Sequence, residues 1–460
     1  MLGLLLKPEI EQLIQEGNFA VLRDALSELP PADVADALVD LPPEQSAIVF
    51  RILPRALAAE VFDFLPTDAQ EAILKAMADR DVSELLDAMA PDDRTRLLEE
   101  LPASVTRRLM DLLSPEELAV AKTLLGYPPH SVGRRMTPDY LAVPDNWNVG
   151  QVIRFIRQHG KNKETLNVIY VTDERGVLRG DVTISDLLLA ADETPVIEIV
   201  DESVPRLLAT DDQEKAVEMF GRYRRDALPV VSSDGVLLGI ITVDDVLDVA
   251  QEEATEDIHK IGGTLAIDEP YLRVDIRTMV LKRAPWLVIL FLSEMLTSTA
   301  LSFYEHQIAS VAALAFFIPL IISSGGNSGS QAATLINRAL ALGEVTVRDV
   351  WAVFRREVTA GAFLGIPLAV IVFLRIVVWH WLAPEKLGPI WFSLAIIVGL
   401  SVIAVVLWGN LIGSLLPLLF KAIGVDPAVT SAPFVATLVD VTGIIIYFTV
   451  ATWILGGMLH

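Results

Sequence analysis

The sequence predicts a multidomain fold: an all-α superhelical N-terminal domain, a pair of α/β units, a connecting helix, and an α domain of five transmembrane helices. Three observations predict it. Prolines recur at a fixed interval through the first 120 residues. A segment near residue 180 returns 59 positions later. From about residue 285 the chain is a succession of apolar runs, most longer than the roughly 20 residues a helix needs to cross a bilayer. Charge divides along the same line. Of 36 basic and 60 acidic residues, 11 and 9 fall from Tyr271 onward, leaving residues 1–270 with 25 and 51. Such a surface repels nucleic acid and anionic lipid and attracts cations. The chain has no cysteine, which excludes disulfides, thiolate metal ligands and thiol chemistry. The run Leu2–Leu6 is too short for a signal peptide and is followed by Glu9 and Glu11, so the acidic half is expected to stay in the cytoplasm.

The first domain is expected over residues 1–130. Pro30, Pro42, Pro54 and Pro66 stand 12 apart, and related turns recur near Pro91, Pro102 and Pro115. Segments between them, such as "ADVADALVDL", place apolar residues at helical spacing, which reads as short amphipathic helices each started by proline in its first turn. They form either a stacked superhelix or an ordinary helical domain without repeat symmetry.

Residues 131–195 and 196–250 form the α/β pair. Gly176-Val-Leu-Arg-Gly-Asp-Val-Thr-Ile-Ser-Asp-Leu-Leu188 is echoed by Gly235-Val-Leu-Leu-Gly-Ile-Ile-Thr-Val-Asp-Asp-Val-Leu247. Each copy follows a β-branched run, "NVIYVTD" or "LPVVSSD", and reads turn, strand, helix. With "MTPDYLAV" at Met136–Val143, the pair resembles tandem CBS domains. That resemblance implies either adenine-nucleotide binding or a purely structural role in dimerisation.

The junction "VDDVLDVAQEEATEDIHKI" at 243–261 leads into the connecting segment 251–275. Asp244, Asp248, Glu252 and Glu256 line one helical stripe, flanked by Glu253 and Asp257. Each like-charge pair four apart costs a helix roughly 0.2–0.5 kcal/mol unless a cation bridges it. The stripe is therefore either a solvated face or a cation sensor.

Residues 276–460 form the membrane domain, with spans near 285–304, 311–336, 358–382, 390–420 and 432–457. Lys282 and Arg283, then Arg338, Arg348, Arg355 and Arg356, then Lys421 mark the cytoplasmic loops and place His460 outside. Asp440 lies in the middle of "APFVATLVDVTGIIIY", with no Lys or Arg after Lys421. An intramembrane carboxylate is costly and marks an ion route, unless it is protonated or paired with a distant arginine. Gly325-Gly-Asn-Ser-Gly-Ser-Gln331 is expected to break the second span beside a cavity; close helix packing by small residues is the alternative. Asn327, Gln331, Glu294 and Asn410 are candidate pore-lining residues, Glu357 opens the third span, and Pro417 is expected to kink the fourth.

Taken together, "TVDDVLDV", "EATEDIHK", "PWLVIL", "GGNSGSQ" and "VATLVDVTG" resemble the MgtE magnesium channels over nearly the whole chain. The resemblance implies a Mg2+-selective channel for uptake across the cytoplasmic membrane, with a pore on the axis of a homodimer. Asp440, with the Ala436 carbonyl, would hold hydrated Mg2+ there. Glu60, Asp92, Glu214, Asp245, Asp248, Glu253, Glu256 and Asp257 would form a cytosolic sensor that closes the pore when Mg2+ is abundant. ATP at the CBS pair is a further ligand the family implies. Arg96 and Arg224 stand where its pattern has acids, and Ala432 where an asparagine is common. Two other classes stay open: an ion-coupled transporter with Glu294 as the coupling carboxylate, and a nucleotide-sensing membrane regulator. The six histidines show no ligand spacing, and there is no Walker loop or GxSxG elbow, so an enzyme is not expected.

Overall fold

The structure, a computed structural model, describes residues 2–267, 271 and 274–456. His460, expected on the outer side, lies outside the described residues. The chain divides into two compact units, Met1–Ala250 and Gln251–His460.

The first unit begins with α1 (Leu2–Gln15), α2 (Phe19–Ser27), α3 (Pro31–Val39), α4 (Pro43–Ile52), α5 (Arg55–Asp63), α6 (Thr67–Ala76), α7 (Asp79–Ala88), α8 (Pro91–Glu100), α9 (Ala103–Leu112) and α10 (Pro115–Leu125). Alternate helices stack: α1 on α3, α3 on α5, α5 on α7 and α7 on α9, with α2 on α4 and α4 on α6 in the second row. The 12-residue period is a true repeat of one helix per unit. Leu26, Leu38, Phe50, Phe62, Leu74, Leu86 and Leu98 fall 12 apart and are all buried. Pro30, Pro42, Pro54, Pro66 and Pro102 stand one place earlier than expected. They are the extended N-cap residues before their helices, while Pro31, Pro43, Pro91 and Pro115 hold the first turn. A second period runs Leu22, Val34, Ser46, Ala58, Gln70 and Val82, all buried, and ends on a charge: Arg94 is 0% exposed. Its guanidinium donates to Leu86 O at 2.9 Å and pairs with Glu117.

Next come α11 (Val132–Arg135), β1 (Ala142–Pro144), α12 (Val149–His159), β2 (Val168–Thr172), β3 (Leu178–Thr183) and α13 (Ile184–Leu189). The second copy has β4 (Leu207–Leu208), α14 (Gln213–Tyr223), β5 (Ala227–Val231), β6 (Leu237–Thr242) and α15 (Val243–Ile261). The sheets have orders β1-β2-β3 and β4-β5-β6, parallel then antiparallel in each. The two copies exchange hydrogen bonds through their turns: Leu178 N–H donates to Gly235 O and Leu237 N–H to Gly176 O, both at 3.0 Å. Each turn glycine has a positive φ, +77° at Gly176 and +81° at Gly235, where a side chain would be strained. The lead-in strands cross over, Thr137 bridging to Ile240 and Asp201 to Asp181. The last helix of the second copy, α15, continues without a break as far as Ile261.

The second unit holds α16 (Ile276–Phe303), α17 (Glu305–Ser310), α18 (Ile318–Ala341), α19 (Val350–Leu382), α20 (Pro384–Leu387), α21 (Trp391–Ala422) and α22 (Ala432–Leu455). Five of these, α16, α18, α19, α21 and α22, are long and apolar enough to cross a membrane, so this is a multi-pass membrane protein. α21 is central and packs on α18, α19 and α22, whereas α16 packs chiefly on α22. Ends agree with alternating crossings. Lys421 at the end of α21 donates to Leu340 O near the end of α18 at 3.2 Å, so these helices finish on one side.

The glycines of the second span do not break it: α18 runs continuously through Gly325–Gln331. They are packing residues. A Cβ on Gly325 would strike the Val405 side chain, and one on Gly413 would strike the backbone oxygen of Gly329. With no hydrophobic drive between helices in lipid, close backbone approach is what holds them. Gly413→Val should therefore destabilise the membrane unit by about 1–3 kcal/mol. Thermal denaturation in detergent checks this, and an unchanged midpoint would contradict the seam.

Candidate functional site

The glycine seam sets the surroundings of Asp440. A methyl group at Gly326 would lie 3.5 Å from Asp440 Oδ1 and 3.4 Å from Ala436 Cβ, so the bare backbone of α18 faces both residues. Asp440 is half-buried. Ala436 is one turn earlier on the same face of α22; inside a helix its carbonyl accepts from the Asp440 N–H, leaving one lone pair for a water-borne ligand. Asn327 and Gln331, four apart on α18, are exposed within the chain, and Asn327 Nδ2 donates to Ser323 Oγ at 3.3 Å. This is a polar stripe on a membrane-spanning helix. Glu294, on α16, is exposed within the chain and close enough for its charge to act on Asp440. Asn410, expected to line a pore, is 3% exposed instead. It accepts from Ser328 Oγ and ties α21 to α18, the inexpensive solution for a buried amide.

A second carboxylate set lies in the first unit. Asp92, in the first turn of α8, is 6% exposed and its Oδ1 has no hydrogen-bond partner. Burial pushes its carboxyl well above the usual range, and Asp245, Asp93 and Glu164 push it further. Asp93 is raised to about 8 by burial and then by Asp63, with Arg96 opposing. Glu164 is raised to about 7 by desolvation, Asp245, Asp244 and Asp139. Asp245 reaches only about 6, because the Thr242 hydroxyl donates to it at 2.7 Å against the effect of burial. A buried carboxylate without a partner is costly when charged, so this set calls for protons or an added cation. Among the described residues no three acids or histidines are grouped tightly enough to hold an ion directly. The arrangement suits an ion that keeps its water shell, and Asp92 Oδ1 is a free acceptor for such a water.

Arg96 meets the same charge excess from within. Its guanidinium binds Asp248 at 2.8 Å, pairs with Asp63, and lies 3.7 Å from Asp93, so one cation gathers α5, α8 and α15. Of the expected sensor residues, the structure thus brings Asp92, Asp245 and Asp248 together. It adds Asp63, Asp93 and Glu164, which the sequence reading missed; no spacing signal links them, because they come from separate elements. Glu60 is exposed on α5, one turn before Asp63. Glu214 is exposed in the first turn of α14, its N–H donating to Asp212 at 2.9 Å. Arg224 is exposed and ends α14 at a φ of 50°.

In the second unit, Lys260 bridges Glu256 at 2.5 Å and Asp426 at 2.7 Å. Burial raises the Asp257 carboxyl and Asp426 raises it further. Asp426, also missed, joins the end of α15 to the loop that leads into α22. Beside it, Trp286 Nε1 donates at 3.1 Å to Ser431, the N-cap of α22.

Comparison with known proteins decides the family. Residues 318–450 match the family described as a divalent cation transporter, MgtE; residues 29–130 match the MgtE intracellular N domain; and residues 131–193 and 196–252 match CBS domains. The magnesium transporter MgtE of Thermus thermophilus is 42% identical over 76% of this chain and 75% of its own length. The chain belongs to the MgtE family. The Enterococcus faecalis magnesium transporter MgtE is 31% identical over 73% of this chain and 72% of its own. Among solved structures, the cytosolic domain of the Mg2+ channel MgtE in complex with ATP covers 52% of this chain and 98% of its own. Its identity is 37% and its TM-score 0.50. The soluble part of a magnesium transporter covers 55% and 99%, with 26% identity and a TM-score of 0.51.

Two outcomes follow for this MgtE protein. Asp93, Glu164 and Asp245 have folded pKa values above their unfolded values near 4. Their contribution is fully present below about pH 4 and is lost as pH rises from there to the folded values, mostly between about 4 and 7, levelling off near 8. In magnesium-free buffer the first thermal transition of the full chain should fall over that window, and adding Mg2+ at pH 7 should restore it with release of protons. A flat midpoint would contradict the charge assignment. Separately, Arg96→Ala should loosen α5, α8 and α15 by about 1–3 kcal/mol, the scale of charged hydrogen bonds. Limited proteolysis of the full chain without Mg2+ should cut it faster than the wild type, and Mg2+ should reverse part of the difference.

Proposed function

We propose that this chain is a Mg2+-selective channel for magnesium uptake across the cytoplasmic membrane, closed by cytosolic Mg2+, with its pore on the axis of a homodimer. The observation that carries the reading is Asp440, an intramembrane carboxylate set against a backbone of glycines and next to the open Asn327–Gln331 stripe. The likeness to magnesium transporters and to a Mg2+ channel supplies the ion. Mg2+ holds its waters tightly and keeps several of them when bound. Two Asp440 carboxylates facing across a twofold axis would match the charge of the hydrated ion and bind it through its waters, aided by the Ala436 carbonyls. Selection then rests on hydrated size and charge. The same ring repels anions.

Closure uses the acids of the N-terminal and CBS domains: Asp92, Asp245 and Asp248, with Glu60 and Glu214, and Glu253, Glu256 and Asp257 along α15. Magnesium neutralises their repulsion and holds the closed arrangement; scarcity releases it. Adenine nucleotide at the CBS pair is a further ligand of this reading, on the likeness to the ATP complex. The acidic domains lie in the cytosol and the C-terminus outside, as the basic loops direct.

The test is Mg2+ influx into liposomes that hold the purified protein and a trapped fluorescent indicator, for wild type and Asp440→Asn. Rapid wild-type influx that falls at least about tenfold in the variant is expected, given the cost of removing one partner of a charge pair. Preloading the side that bears the acidic domains with Mg2+ should slow wild-type influx. Equal influx in both proteins would remove Asp440 from the route, and no influx in either would favour a regulator without transport.

A further inference from the structure

The helices α16, α18, α19, α21 and α22 contain three carboxylates: Glu294 on α16, Glu357 near the start of α19, and Asp440 on α22. The proposed channel uses only the last. Two ring contacts fix the depth of the first. Trp286 lies against Phe434, with centroids 6.4 Å apart, and Tyr304 stacks on Phe448 at 4.6 Å. The residue order is the same along both helices, so α16 and α22 run parallel. Counting from the lower contact, Glu294 is about 12 Å up α16 and Asp440 about 9 Å up α22, at 1.5 Å per residue. Counting from the upper contact, they are about 15 Å and about 12 Å down. The two small offsets have opposite sign and cancel. Glu294 and Asp440 share one level.

The helix face agrees. Around α16, Glu294 stands about 20° from Leu301 and about 60° from Thr297. Leu301 packs on the apolar core of the membrane unit, and Thr297 is 6% exposed. The Thr297 hydroxyl is buried without a hydrogen-bond partner, so this face carries a second polar group that lacks a protein partner. Glu294 therefore stands on the rim of the face turned to α22, where its charge reaches Asp440. It has no basic neighbour on its own helix between Arg283 and the end of α16. A glutamate at this depth with no counter-ion is expensive unless it borders water or a cation.

We propose that Glu294 is a second carboxylate of the cation route, level with Asp440, and that it sets the preference for divalent over monovalent cations. The proposal rests on the channel reading above. Across a twofold axis, Asp440 alone supplies two negative charges, and Glu294 raises the layer to four. The Coulomb attraction of an ion to that layer scales with the product of the charges. A divalent ion gains twice what a monovalent ion gains, so the gap between them widens as the layer becomes more negative.

The test compares wild type, Glu294→Gln, Glu294→Asp and Asp440→Asn in the liposome assay, with Mg2+ influx and, in divalent-free solution, K+ influx as readouts. Glu294→Gln should raise the Mg2+ concentration for half-maximal influx about tenfold, the effect of one close charge in a partly solvated site. It should also raise K+ influx relative to Mg2+. Glu294→Asp should keep both values within about threefold of wild type, since it keeps the charge. A purely structural glutamate would lower the amount of folded channel without moving the half-saturation or the ion ratio. Wild-type values for both in Glu294→Gln, with Asp440→Asn silent, would overturn the Glu294 assignment alone. Wild-type flux in Asp440→Asn would overturn the channel reading beneath it. Influx that follows a proton gradient in wild type and loses that dependence in Glu294→Gln would make Glu294 a coupling group and also overturn the proposal.

Discussion

Negative charge that the protein does not itself neutralise is the constraint on which the rest of this structure depends. It occurs twice, in different solvents. In the first unit, Asp92, Asp93, Glu164 and Asp245 are drawn together from α8, the loop after α12, and α15, and two of them are raised to about 7 and about 8. In the membrane unit, Asp440 and Glu294 stand level with each other with no lysine or arginine on their helices nearby. Folding a carboxylate away from water costs several kcal/mol unless something positive arrives. In both places that cost is met by tight packing elsewhere: the 12-residue core ladder in the first unit, and the glycine seam of α18 and α21 in the second. The protein is thus stable enough to hold carboxylate arrangements that call for protons or an added cation.

Most of the fold was legible because it is periodic. The 12-residue interval of prolines and the buried ladder from Leu26 to Leu98 are one signal seen twice. The offset of 59 between the α/β copies is kept strand by strand, from β2 to β5 and from β3 to β6. Five spans could be read from length and apolarity alone. Periodicity fails where a residue breaks the period on purpose. Arg94 occupies a core position of the repeat, and nothing in its neighbours announces that Glu117, 23 positions on, will receive it.

The candidate site was legible in part, for a related reason. Asp440 was visible because a charge in an apolar run needs no partner to be conspicuous. Asp63, Asp93, Glu164 and Asp426 were not, because each is an ordinary surface acid until the fold brings another element to it. The glycines of α18 were misread as a break. A Gly-Gly pair lowers helix propensity, but inside a bilayer an unsatisfied backbone costs more than the entropy saved by breaking the helix. Continuity wins, and the missing side chains become contact surface. Asn410 follows the same logic: a polar side chain in a span can serve as glue between helices as readily as it can line a path.

Arg96 bears on the magnesium sensing proposed for these acids. A guanidinium and a hydrated Mg2+ are alternative answers to one electrostatic problem, but they differ in what they respond to. Magnesium comes and goes with its concentration; Arg96 is fixed by a covalent chain and stays charged at any physiological pH. Its contacts with Asp63 and Asp248 tie α5 to α15 without calling on a bound ion. What remains for magnesium to answer is the residual charge at Asp92, Asp93, Glu164 and Asp245, beside Arg96 but not satisfied by it. An internal cation that removes part of the repulsion leaves less for the external ion to bridge. The empty and magnesium-bound arrangements then differ by a smaller free energy. By linkage, a smaller difference means a weaker coupling between magnesium binding and the state of the pore. On the proposed sensing, Arg96 would make this protein's response to magnesium shallower, with closure depending more heavily on the acids along α15.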